Sequence, residues 1–138
     1  MRPEARTEEH VGEWKVMLSA DSLDDLFGEA ARLVARQCGP TGGDYGGRRQ
    51  VSLTARDLAT LLADWINDLI GRSEIDGRAY DDVRVRGVGE AEGRAFIDAD
   101  IRGRPVRAWR SPLKAATYHG LTLNREDHRL RATVLIDV

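Results

Sequence analysis

A single cysteine among 138 residues rules out an internal disulfide, and Cys38 has no Cys or His neighbour at metal-site spacing. Its expected role is structural or none. No apolar run approaches the roughly 20 residues that cross a bilayer. The opening MRPEARTEEH is charged and has no apolar signal core behind it. The expectation is therefore a cytoplasmic protein without membrane contact. An excess of either charge is also missing: 21 basic against 23 acidic residues leave a formal net charge of −2, with no global pull toward nucleic acid. Local basic runs remain, namely Arg48-Arg49 and the set Arg102, Arg104, Arg107 and Arg110, and such runs are ordinarily a solvated face. There is no internal repeat or low-complexity tract. Nucleotide motifs are absent too. The run from Gly42 to Gly47 leads into Arg48-Arg49 where a phosphate loop needs Lys and Ser or Thr, and it enters a strand instead of a helix. The glycines at 87, 89 and 93 lack dinucleotide-fingerprint spacing. No Ser-His-Asp or Cys-His arrangement follows from spacing, so no catalytic residue is assigned.

What is present is a composition of 41% hydrophobic and 32% charged residues, that of a soluble globular chain. Its length suits one domain over 1–138, with residues 1–9 as a flexible leader. The dominant stretch is LATLLADWINDLI, Leu58 to Ile70. Leu58, Leu61, Leu62, Trp65, Ile66, Leu69 and Ile70 fall on one stripe of a 3.6-residue helix. Asp64, Asn67 and Asp68 lie off that stripe, where they meet solvent or a partner. This helix is expected from about Ala55 to Gly71.

The remaining elements follow from alternation and punctuation. Glu13 to Ala20 alternates as a first strand, and Ser22, with Asp25 three residues on, starts a helix running to about Gln37. Cys38 to Gly47 holds five glycines and a proline and reads as a mobile loop. Strands follow at Arg49 to Thr54, Tyr80 to Gly87, Arg94 to Arg102, Leu113 to Asn124 and Arg129 to Val138. The order is β-α-β-α-β-β-β-β. The expected fold is α+β, a largely antiparallel sheet with two helices packed on one face.

Three stretches carry more. LLADWINDLI, the segment LKAATYHGL from Leu113 to Leu121 and the terminal ATVLIDV together resemble the archease family in order and spacing over nearly the whole chain. That family has a His-Thr-Ala-Asp motif before the first strand, a Trp-containing amphipathic central helix, a K-A-V-T-Y-H segment, and a final strand closing with Asp and an aliphatic residue. The resemblance implies an accessory protein, itself not an enzyme, that helps an RtcB-type RNA ligase become guanylylated and turn over in tRNA splicing or RNA repair. RNA would then be met only indirectly. It also implies a divalent cation, Ca²⁺ first with Mg²⁺ or Mn²⁺ as alternatives, held by acidic residues near the N-terminus and at the C-terminus. By position these are Glu13 and Asp137, and His10 matches the histidine that opens the motif. Here His-Thr-Ala-Asp has become His10-Val11-Gly12-Glu13, which keeps the charge but lengthens the carboxylate arm by one methylene.

Glu13, Asp137 and the terminal carboxylate of Val138 are hard oxygen donors suited to such cations, provided the first strand lies near the last. His10, Lys114 and His119 are the expected partner contacts or supports of that site. Two rival readings stand beside this one. The first is a small metal-dependent phosphohydrolase built on Glu13, His119 and Asp137. The second is a chaperone or RNA-binding module using the arginines at 102, 104, 107 and 110.

Overall fold

The apolar stripe starting at Leu58 forms α2 (Leu58–Asp76) in the computed structural model, which describes residues 2–10, 12–110 and 113–138, with His10 described in its backbone alone. Leu61, Leu62, Trp65, Ile66, Leu69 and Ile70 are all buried, and the Trp65 indole Nε1 donates to the Phe27 carbonyl at 2.9 Å. Asp57 caps the start by accepting from the Thr60 amide at 2.8 Å. The helix runs past the expected stop at Gly71 and ends at Gly77, whose φ of 67° is the left-handed conformation that closes a helix. Phe27 belongs to α1 (Leu23–Cys38), where Ser22 accepts from the Asp25 amide at 3.1 Å.

Around the helices stand β1 (Glu4–His10), β2 (Glu13–Ala20), β3 (Arg49–Ala55), β4 (Arg78–Ala91), β5 (Arg94–Pro105), β6 (Ala115–Glu126) and β7 (Arg129–Asp137). The class is α+β, as expected, but the single sheet is not. The strands form two antiparallel sheets, a four-stranded one ordered β1-β2-β7-β6 and a three-stranded one ordered β3-β5-β4. The two helices pack against each other, α1 also on β2 and β4, and α2 on β6 and on all three strands of the smaller sheet. Alternation identifies the buried side of a strand, not its neighbours, so it cannot divide strands between sheets.

Two further expectations change. Residues 4–9 of the supposed leader, with His10, form β1, an edge strand paired with β2 from Glu4 opposite Ser19 to His10 opposite Glu13. The segment from Gly39 to Arg48 is irregular but tethered beside the end of β5. Gly42 and Gly46 donate to the Pro105 and Gly103 carbonyls at 3.1 and 3.0 Å, and Arg107 donates to Pro40 at 2.8 Å.

One irregularity bears on function. In the β6–β7 pairing, Thr117 faces Leu135 and the next paired residue, Thr122, faces Thr133, so β6 bulges between them. The bulge contains Tyr118, His119 and Gly120. No helix among the described residues is long and apolar enough to cross a membrane.

Candidate functional site

The register of the larger sheet brings the two expected carboxylates together. Glu13 of β2 lies directly opposite Asp137 of β7, and Ala115 of β6 flanks Asp137 on its other side. Directly paired residues in an antiparallel sheet project to the same face, with Cα atoms roughly 4.5–5.5 Å apart. The facing is set by the neighbouring pair, Trp14 and Ile136, which turns inward: Ile136 is fully buried and Trp14 packs on the core. One residue along, the alternation turns Glu13 and Asp137 outward, where both are half-buried.

The backbone closes tightly around this end. Lys114 donates its amide to the Asp137 carbonyl at 2.7 Å, and Val138 donates its amide to the Gly12 carbonyl at 3.1 Å. Val138 thus follows the acid pair between the start of β2 and the start of β6. Neither carboxylate lies within ion-pairing distance of a basic group among the described residues. Like charges placed opposite one another oppose folding unless something positive sits with them.

The other expected residues are placed less closely. His10 pairs with Glu13 through the backbone register, and its side chain lies outside the described residues. The Lys114 side chain is exposed. His119 is exposed in the bulge of β6, beyond the paired stretch that holds Ala115 against Asp137. Among the described residues no three His, Cys, Asp or Glu side chains stand close enough to hold a metal. The Glu13, His119 and Asp137 constellation of a hydrolase is therefore not assembled. Cys38 is buried, its thiol donating to the Val34 carbonyl at 3.4 Å, and burial pushes its pKa up.

A further set of residues went unread in the sequence, where they counted as the polar edge of a core helix. The Asn67 amide grips the backbone of β6: Nδ2 donates to the Ala116 carbonyl at 3.0 Å and Oδ1 accepts from the Ala116 amide at 2.7 Å. One turn earlier, Asp64 accepts from the Tyr118 hydroxyl, and that bond, with some burial, raises the Tyr118 pKa. An asparagine side chain offers the donor and acceptor of a peptide group, so Asn67 does what a neighbouring strand would do at this edge. In this way α2 fixes the first half of β6, which flanks Asp137. The Asp-Trp-Ile-Asn order and the Ala-Ala-Thr-Tyr segment are two halves of one contact.

Comparison with known proteins agrees with this architecture. The model of the archease protein family (MTH1598/TM1083) matches residues 6–138. The archease of Methanosarcina acetivorans is 30% identical over 135 residues, covering 94% of this chain and 92% of that protein. The archease of Methanopyrus kandleri is 31% identical over 136 residues, covering 94% and 96%. The solution structure of Methanobacterium thermoautotrophicum protein 1598 superposes with a TM-score of 0.77 at 19% identity, over 97% of this chain and 98% of that one. A Thermotoga maritima crystal structure described as an archease and possible chaperone gives 0.62 at 19% identity, over 96% of both. With a family match over nearly its whole length, and two helices and two antiparallel sheets that match the solved relatives, the chain belongs to the archease family.

Proposed function

We propose that this protein is a cytoplasmic accessory factor for an RtcB-type RNA ligase, promoting guanylylation and turnover of that enzyme in tRNA splicing or RNA repair. In this reading Glu13, Asp137 and the Val138 carboxylate hold a divalent cation. The observation that carries it is the register of β2 on β7, which opposes two carboxylates with no basic partner among the described residues.

The donor set fits a hard cation. Carboxylate oxygens are the ligands that Ca²⁺, Mg²⁺ and Mn²⁺ prefer, and two side chains with one terminus leave further positions to water or to a partner protein. A bound cation would supply positive charge for a nucleotide phosphate at the ligase. The chain's own residues do the rest. Asp137 and Glu13 are held by the ladder, Asn67 holds the flanking strand, and the exposed Lys114, Tyr118 and His119 offer a polar contact surface beside them. The reading assigns no catalytic residue to this chain.

The test is formation of ligase-GMP from GTP with Mn²⁺ and substoichiometric amounts of this protein. Acceleration by the wild type that is lost in Asp137→Ala, with calorimetric Ca²⁺ binding lost in parallel, is the expected result. An active ligase that is not accelerated overturns the functional reading. An Asp137→Ala variant that still binds metal and accelerates overturns the placement of the site.

A further inference from the structure

The glycine-rich segment and the local arginines, left without a role above, come together on the smaller sheet. Arg78 at the start of β4 lays its guanidinium across the segment. Its Nη1 donates to the Gly103 carbonyl at 2.8 Å and to the Asp44 carbonyl at 3.4 Å. Gly46 makes that approach feasible, because a Cβ there would sit 3.2 Å from the Arg78 Cζ. Beside it, Arg49 is held by Asp76 at 2.6 Å, and Tyr80 donates its hydroxyl to the same carboxylate. Arg49, Arg78 and the backbone of Gly46, Gly47 and Gly103 line an open cavity of about 290 Å³. Asp76 and Tyr80 also line it; Asp76 offsets the charge of Arg49, whereas Arg78 meets only backbone carbonyls among the described residues and keeps its charge for a ligand.

An aromatic platform adjoins the cavity. Tyr45, exposed and directly before Gly46, has the Arg102 and Arg104 guanidinium groups 4.8 and 4.6 Å from its ring centroid. Those two arginines flank Gly103 on β5. Arg48, at the opposite end of the Gly46-Gly47 pair, is exposed and has no partner among the described residues. A guanidinium fork held in fixed orientation suits phosphate oxygens, the open space at Gly47 leaves room for a phosphate to approach, and a tyrosine backed by arginines suits a stacked base.

We infer that the cavity between Gly46, Arg49 and Arg78, with Tyr45 beside it, binds the phosphate backbone of a single-stranded nucleic acid, which gives this protein a direct RNA contact on the sheet that does not carry Glu13 and Asp137. An acidic protein segment would satisfy Arg48 and Arg78 but leave the exposed part of Tyr45 and the open backbone at Gly47 unused. The inference does not rest on the ligase reading.

The test uses the purified full chain and a fluorescein-labelled uridine 12-mer, followed by anisotropy at increasing salt, with no ligase present. Binding is expected at about 50 mM salt and should weaken steeply as salt rises, by about 0.7 in log–log slope per neutralised phosphate. Arg48→Ala, at an exposed position, should lower that slope by about one such step. Arg78→Lys, which keeps the charge and loses the fork, should weaken binding about tenfold. Tyr45→Ala should weaken it at least fivefold through lost stacking. Arg131→Ala on the other sheet should leave it unchanged, and thermal melts confirm that each variant is folded. Absence of salt-dependent binding, or binding indifferent to Arg48→Ala and Arg78→Lys in folded protein, overturns the inference. Equal binding of poly-L-glutamate reassigns the patch to an acidic protein and also overturns it.

Discussion

The two ends of the four-stranded sheet handle charge in opposite ways. At one end Arg129 is buried, and its guanidinium meets Asp21 at 2.7 Å, the Arg2 carbonyl at 3.1 Å and the Ser19 hydroxyl at 3.3 Å. Nearby, Arg131 meets Glu126 at 3.3 Å. At the other end Glu13 faces Asp137 with no opposite charge in reach among the described residues. The first arrangement is the satisfied network that a buried charge requires. The second spends folding energy, which the sheet would avoid by placing a lysine or threonine at either position. Paired charges explain themselves structurally. Opposed like charges are not explained by the sheet itself.

Several measurements break or sharpen that contrast. Arg129→Ala removes a charged donor with three partners and should lower stability by about 2–3 kcal/mol, read by urea denaturation. Asn67→Ala attacks the other end through its scaffold. Losing both bonds to Ala116 should cost about 2 kcal/mol and accelerate hydrogen exchange at the Ala116 amide, while the Arg129 end stays protected. Asp57→Ala should cost about 1 kcal/mol at neutral pH by uncapping the helix that carries Asn67. The backbone bond from Thr60 lowers the Asp57 pKa in the folded state. Its contribution is therefore complete above the unfolded value near 4 and is lost as pH falls through the lowered folded value, so wild type and Asp57→Ala should converge in acid melts. The smallest effect is the most discriminating. In chelator, Glu13→Gln should stabilise the protein by a few tenths of a kcal/mol, because it relieves the opposed charges. With Ca²⁺ added the order should reverse, and a variant less stable than wild type in chelator would show that the pair is not repulsive.

Much of this was legible in the sequence, for identifiable reasons. The stripe from Leu58 to Ile70 is long and strictly periodic, and every member from Leu61 onward is buried. Ser22 was readable as a cap because the residue types that accept from an N-terminal amide are few. β1 was not readable: EARTEEH has no apolar alternation, and its strand character comes from backbone pairing with β2, with Ala5 alone packing on the core. Gly71 was taken as a stop, yet it sits in open space inside the helix, and the left-handed closure that needs glycine falls at Gly77. Of the site, Glu13 and Asp137 were named through family resemblance; their opposition is a matter of register, which no local pattern encodes. Asn67 was invisible for a deeper reason. A polar residue on the outer edge of a core helix looks solvated whether it meets water or a strand's backbone.

The bulge in β6 has a consequence for chain length. From Thr117 to Thr122 the strand advances five residues while its partner moves back two, from Leu135 to Thr133, so β6 carries three residues more than the ladder uses. Excising residues 119–121 would let Thr122 take the place opposite Thr133 and leave every later residue facing the side it faces now. The sheet would lose no rung. Those three positions, His119 among them, are surplus to pairing, though Leu121 still packs on the core. A homologue lacking them would keep the ladder and forfeit the exposed His119 and Gly120 together with the Leu121 contact on the core.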